Sequence, residues 1–226
     1  GSLGTLGVVT QATLMVRPLP EASVFFICDV PDFNVVERLL AGLVGSPARP
    51  VAIELVAGRP RESNLVLGPV LEGNIGRLYV GFEGPAAEVD WMVEQLRGQW
   101  AEAGATAPML VPTTRAEPLW RWLTEFEAHV QISVLPSAVV SVIGKLLEID
   151  PSCTIQAHAG DGVIRVQLGG EERGAGDEEK ASVLTRFAQL RATATTTGGK
   201  MTVLRNPNGC VLSAAEIWGL PGPEFR

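Results

Sequence analysis

From Ala22 to Val30 the chain runs ASVFFICDV, apolar and rich in β-favouring residues. Pro31-Asp32 then opens a segment in which Phe33, Val36, Leu39, Leu40 and Leu43 recur at helical spacing until Gly45. A second strand is predicted over Val51 to Ala57. After an excursion punctuated by Gly, Pro and Asn come a third strand over Arg77 to Glu83, a long helix from about Ala86 to Ala103, and a short strand over Thr106 to Val111. The order strand, helix, strand, strand, helix, strand is the split βαβ, or ferredoxin-like, arrangement.

The same order recurs downstream. Its elements are a strand over His129 to Leu135, a helix over Ser137 to Leu147, strands over Thr154 to His158 and Val163 to Leu168, a helix over Glu178 to Ala192, and a strand over Met201 to Arg205. The halves, 21–112 and 128–206, share element order but no clear residue-level identity. The pattern therefore predicts an α+β fold: two ferredoxin-like repeats joined into one antiparallel sheet, helices packed on one face, the other face free to cover a cofactor or partner. Between the halves, Pro112 to Glu127 reads as a linker helix entered at Thr113 or Thr114, with Trp120 and Leu123 facing inward. Gly169 to Lys180 reads as a solvated acidic loop. Glu216 and Trp218 read as strand or loop, with Trp218 serving packing.

Composition narrows the function classes. The chain has 226 residues, 46% hydrophobic, with a formal net charge of -7 and no Lys/Arg cluster interleaved with aromatics, so nucleic acid is not an expected partner class. The longest apolar run, Val134 to Ile143, is broken by Pro136, Ser137 and Ser141 and falls short of the roughly 20 residues that span a bilayer. Cys28, Cys153 and Cys210 are odd in number and widely spaced, which suggests neither a disulfide framework nor a zinc site, and points to a reducing cytoplasm. The chain opens within a glycine-rich motif and closes on Gly222-Pro223-Glu224-Phe225-Arg226, so it reads as a fragment at both ends.

Two motifs carry chemistry. Gly1-Ser2-Leu3-Gly4-Thr5-Leu6-Gly7-Val8-Val9-Thr10 sets three glycines three residues apart before a strand-like run, a spacing that lets backbone N–H groups face a pyrophosphate. It is not the G-x-G-x-x-G dinucleotide fingerprint, and no strand precedes it. The second motif, Ile155-Gln156-Ala157-His158-Ala159-Gly160-Asp161-Gly162-Val163-Ile164-Arg165, is a hairpin whose Gly-Asp-Gly makes the turn. His158 can serve there as a plain hairpin residue bonded to a carbonyl. Alternatively it faces a substrate, with Arg165 as a fixed positive charge for a carboxylate; the odd separation of the two does not decide whether they share a face.

The stretch GSLGTLGVVTQATLMVRPLPE resembles the end of the FAD-binding domain in the FAD-linked oxidase family of the vanillyl-alcohol oxidase type. That resemblance implies FAD contacts for Gly1, Ser2, Gly4, Thr5, Gly7 and Val9, with Leu3 standing where the family often has an acidic residue. It assigns residues 1–20 to the end of an FAD domain lying mainly upstream, and 21–226 to the cap or substrate domain.

The hairpin is similar to the His-x-Gly-Asp-Gly-x-x-His segment of hydroxyacid dehydrogenases in this family, whose metal-dependent members use both histidines as ligands. Here Arg165 replaces the second, and an arginine, always protonated and a donor only, is no ligand. His129, the other of the chain's 2 histidines, begins a different predicted strand, so no metal is expected. Asn208 to Ser213 stands where catalytic members carry a Ser-Gly-Glu-His-Gly-type segment, and that Glu-His pair is missing.

The branch resembled most is that of the FAD-binding subunits of bacterial glycolate oxidase. It implies FAD, glycolate or a similar 2-hydroxyacid, and partnership with a related flavoprotein subunit and an iron-sulfur subunit. Localisation would be cytoplasmic, with inner-membrane association through those partners. Three readings follow: the substrate-side part of the oxidoreductase, inactive as a fragment, with His158 and Arg165 at the substrate; a non-catalytic assembly or electron-relay subunit; or a family member acting on another alcohol or acid.

Overall fold

Strand β1 (Ala22–Val30) is buried over almost its whole length, on both faces. An edge-on view explains why: alternate residues enter two different cores. Ala22, Val24, Phe26, Cys28 and Val30 face the larger one, while Phe25 and Ile27 face a smaller one on the opposite side of the sheet. The computed structural model describes residues 8, 10–16, 18–59, 70, 72–105, 108–169, 177–206 and 211–219. Gly1, Ser2, Gly4, Thr5, Gly7 and Val9 lie outside the described residues, as does most of the acidic loop.

Helix α1 (Phe33–Val44) follows β1 as its pattern predicts; Asp32 caps it by accepting from the Val35 N–H at 2.8 Å, and Gly45 closes it. Then come β2 (Ala52–Gly58), β3 (Gly76–Gly84), α2 (Ala86–Glu102) and β4 (Met109–Val111), which complete the first half. Helix α3 (Thr113–Thr124) leads into β5 (Val130–Ser133). One turn of 3-10 helix at Pro136–Ala138 then enters α4 (Val139–Ile149), followed by β6 (Thr154–His158), β7 (Val163–Gln167), α5 (Asp177–Thr196), β8 (Lys200–Val203) and a short α6 (Ala214–Trp218).

The sheet has 8 strands in the order β4-β1-β3-β2-β6-β7-β5-β8, and all pairings are antiparallel. Numbered within each half, both halves read fourth, first, third, second from their outer edges. They meet through their second strands, β2 and β6, in the register Glu54↔His158 and Val56↔Gln156. The repeat of element order is thus a repeat of topology, and the join hides two edges that would otherwise be open.

Helices α1, α2, α4 and α5 contribute to the larger core on one face. The other face differs from expectation over the first half, where α3 covers it. Phe25, Ile27, Val56 and Tyr79 make that part of the face apolar, and Ala116, Leu119 and Leu123 of α3 bury it. Trp120 lies against Phe25 with ring centroids 4.3 Å apart and donates to Ser23 Oγ at 2.8 Å. Gly81 makes room for it, since a Cβ there would stand 2.8 Å from the indole.

The C-terminal reading needs two corrections. Ser213 and Glu216 form a capping box, Ser213 Oγ accepting from the Glu216 N–H and the Glu216 carboxylate accepting from the Ser213 N–H, so the segment is a helix. Trp218 on it is 53% exposed, so it does not serve packing. No helix among the described residues is long and apolar enough to cross a membrane.

Candidate functional site

On the face opposite the four helices, strand pairing lines up polar side chains in rows across the sheet. One row runs Asp29, Arg77, Val56, Gln156, Arg165, Gln131 and Thr202; the next runs Tyr79, Glu54, His158, Val163, Ser133 and Lys200. His158 pairs with Val163 and Arg165 with Gln156, so His158 and Arg165 share this face as diagonal neighbours. The register thus decides what their odd separation in sequence could not.

The hairpin holds His158 firmly. Asp161 and Gly162 both donate their N–H to the His158 carbonyl, at 3.1 and 3.0 Å. On either side, Ala159 N–H donates to Ile53 O at 2.8 Å and Val134 N–H to Gly162 O at 2.8 Å. Gly162 has φ +75°, and a Cβ there would collide with the Val134 carbonyl, so the second glycine of Gly-Asp-Gly is obligatory.

Across the join between halves, His158 meets Glu54. Its Nδ1 and Glu54 Oε1 form a close hydrogen bond, Glu54 being 4% exposed. Gln156, 1% exposed, donates its amide N–H to Glu54 Oε2 at 3.2 Å and to the carbonyl of Leu123, in the last turn of α3, at 2.7 Å. Beside this network lies a cleft of about 170 Å³ lined by Pro50, Val51, Ala52, Ile53, Glu54, His158, Gly160 and Asp161. That volume is well under the roughly 300–1,000 Å³ of pockets for drug-sized ligands, and suits a molecule of a few heavy atoms. Arg165 does not line this cleft; it stands one row further along the face, half-buried, beside Gln131.

Sequence reading had found His158 but not Glu54 or Gln156. The signal was a carboxylate at the centre of the apolar run VAIELVA and an amide inside TIQAH, each breaking an otherwise apolar strand.

In the first half the polar groups of this face are sealed beneath α3. Asp29 and Arg77 form a two-point ion pair, Nε to Oδ1 at 2.5 Å and Nη2 to Oδ2 at 3.0 Å. Burial pushes the neighbouring Tyr79 phenol up to about 12, with Arg77 pulling the other way.

His129 is buried on the Leu168 side, and its Nδ1 accepts from the Leu168 N–H at 2.9 Å, a structural role. Among the described residues no group of three His, Cys, Asp or Glu side chains could hold a metal ion.

The fold and this face define a ferredoxin-like double repeat with a polar, half-covered sheet surface, and that architecture is shared with known proteins. The chain superposes on two solved structures of alkyldihydroxyacetonephosphate synthase. The TM-scores are 0.59 and 0.55, at 15% and 16% identity, over 88% of this chain and 43% of each of those. In sequence it is 27% identical over 188 residues to the mitochondrial D-lactate dehydrogenase (cytochrome) of Arabidopsis thaliana, which covers 72% of this chain and 32% of that protein. No protein-family model matches the chain. It spans about a third of the length of that curated relative. These findings support the FAD-linked oxidase family, an oxidoreductase class, as the kin of this chain.

Proposed function

We propose that this chain is the substrate-side cap of an FAD-dependent 2-hydroxyacid oxidoreductase, of the kind represented by the FAD-binding subunits of bacterial glycolate oxidase. The observation that carries the reading is the shared placement of His158 and Arg165 on the half of the sheet face that no described helix covers. The similarity to D-lactate dehydrogenase favours a small 2-hydroxyacid, glycolate or lactate, over a bulky alcohol. So does the small cleft beside His158.

In this reading FAD, held mainly by an upstream domain and by Gly1, Ser2, Gly4, Thr5, Gly7 and Val9, supplies the two-electron chemistry when bound. The described residues fit its edge rather than its whole length: Arg165, Gln131 and Thr202 present donors on an uncovered surface, and no described residue set forms a dinucleotide cradle. Leu14, Met15, Val16 and Leu19, all at least 82% exposed, suit packing against such a domain. Arg165 pairs with the substrate carboxylate, and His158 takes the hydroxyl proton. The fragment alone does not turn over. In the cell the whole protein works in the cytoplasm with a related flavoprotein subunit and an iron-sulfur subunit, and through them at the inner membrane.

A second reading, a non-catalytic assembly or electron-relay subunit, is favoured by Arg165 standing in place of a ligand histidine and by the missing Glu-His pair near Asn208 to Ser213. Anaerobic addition of glycolate and of D-lactate to the full-length flavoprotein, alone and then with its partner subunits, separates the two. Flavin reduced in the lone protein supports the catalytic reading. Flavin that stays oxidised until partners are added supports the relay.

A further inference from the structure

We propose that Glu54 is the positioning residue of this site: its carboxylate holds the His158 ring with the proton on Nδ1, leaving Nε2 as the acceptor in the cleft that His158 lines. This rests on the catalytic reading above and adds to it a residue from the other half of the fold. Glu54 sits in mid-β2, where Leu55 beside it enters the helix-side core, and a carboxylate 4% exposed is costly unless both oxygens find donors. Both do. Oε2 receives the Gln156 amide, whose orientation is dictated because that nitrogen faces two acceptors, Glu54 Oε2 and Leu123 O. Oε1 is left to His158 Nδ1, and an acceptor-only partner requires that nitrogen to carry the hydrogen.

The consequence is chemical. When the substrate C–H bond breaks, hydride leaves for the flavin oxidant and the alcohol carbon becomes a carbonyl. The hydroxyl proton passes to Nε2, and the imidazolium so formed is stabilised by the Glu54 carboxylate already against Nδ1. No net charge is then left unpaired between β2 and β6.

Glu54→Gln discriminates positioning from mere structure. The amide keeps the shape of the carboxylate; its oxygen can accept from Gln156 while its nitrogen donates to His158 Nδ1, which forces the ring proton onto Nε2. The experiment is nitrogen-15 NMR of histidine-labelled full-length protein, with His158 assigned by its loss in His158→Gln, alongside stopped-flow flavin reduction by sodium glycolate and D-lactate.

The expected result is Nδ1 protonation in the wild type, the opposite tautomer in Glu54→Gln, and flavin reduction slowed roughly 100-fold or more with substrate affinity little changed. Glu54→Asp, which keeps the acceptor, should recover part of the rate and the wild-type tautomer. A wild-type ring protonated on Nε2, or a Glu54→Gln rate close to wild type while His158→Gln is slow, overturns the role of Glu54 alone. Unimpaired reduction in His158→Gln overturns the site reading together with it. Should Glu54→Gln not fold, the wild-type tautomer and Glu54→Asp still decide.

Discussion

The two halves of the sheet share one topology and differ in what they do with the same face. In the first, Asp29, Arg77 and Tyr79 are roofed by α3, and their charges neutralise one another in a dry interior. In the second, Gln156, His158, Arg165, Gln131 and Thr202 occupy equivalent rows with no described helix above them. Charge under α3 therefore supports the fold, whereas charge on the uncovered half is available to a ligand. Glu54 and Gln156 sit on the seam and belong to both: buried on one side, bonded to His158 or to α3 on the other.

Breaking the sealed half should cost the most. Arg77→Ala strands Asp29 as an unpaired buried carboxylate and should lower unfolding free energy by about 3–5 kcal/mol in urea titration. Next, Gly81→Ala drives a methyl into the Trp120 indole; about 1–3 kcal/mol should be lost, with a changed near-ultraviolet signal from that ring. By contrast Arg165→Met, on the open half, should leave stability within about 0.5 kcal/mol. In the full-length protein it should instead raise the apparent KM for glycolate or D-lactate roughly tenfold or more. A change confined to stability would place Arg165 with the sealed half.

The smallest effect concerns acid. Asp150 is buried, which alone would raise its pKa, but hydrogen bonds from Ser152, Gly169 and Arg186 outweigh that and hold it below its ordinary value of 3.8. A carboxyl depressed on folding contributes stability that is present above its unfolded value and is lost as pH falls through the lower folded one. Asp150→Asn should thus flatten the stability profile only below about pH 4, as read by denaturation midpoints across that range.

Both layers of the fold were legible because strand and helix periods differ. ASVFFICDV and the Phe33 to Leu43 spacing identify β1 and α1 without any contact information. The repeat was visible as element order for the same reason. The seam was not. Nothing local says that β2 pairs with β6, and without that pairing Glu54 is only a carboxylate in an apolar strand, 104 residues from His158.

The roof was half visible. The inward positions of α3 could be read, but which face it covers depends on Phe25, Ile27 and Tyr79 lying on the side away from the other helices. At α6 the signal was present in Ser213-Ala214-Ala215-Glu216 as a capping box and was read instead as strand or loop.

The central claim is that the open half of this face serves a flavin-linked oxidation of a small 2-hydroxyacid. Its most direct test is anaerobic stopped-flow reduction of the full-length protein by glycolate and D-lactate, in wild type and in His158→Gln. The account predicts bound flavin that bleaches with one of these acids, and roughly 100-fold slower bleaching in the variant. A full-length protein without flavin, or flavin that the variant reduces as fast as the wild type, would contradict it.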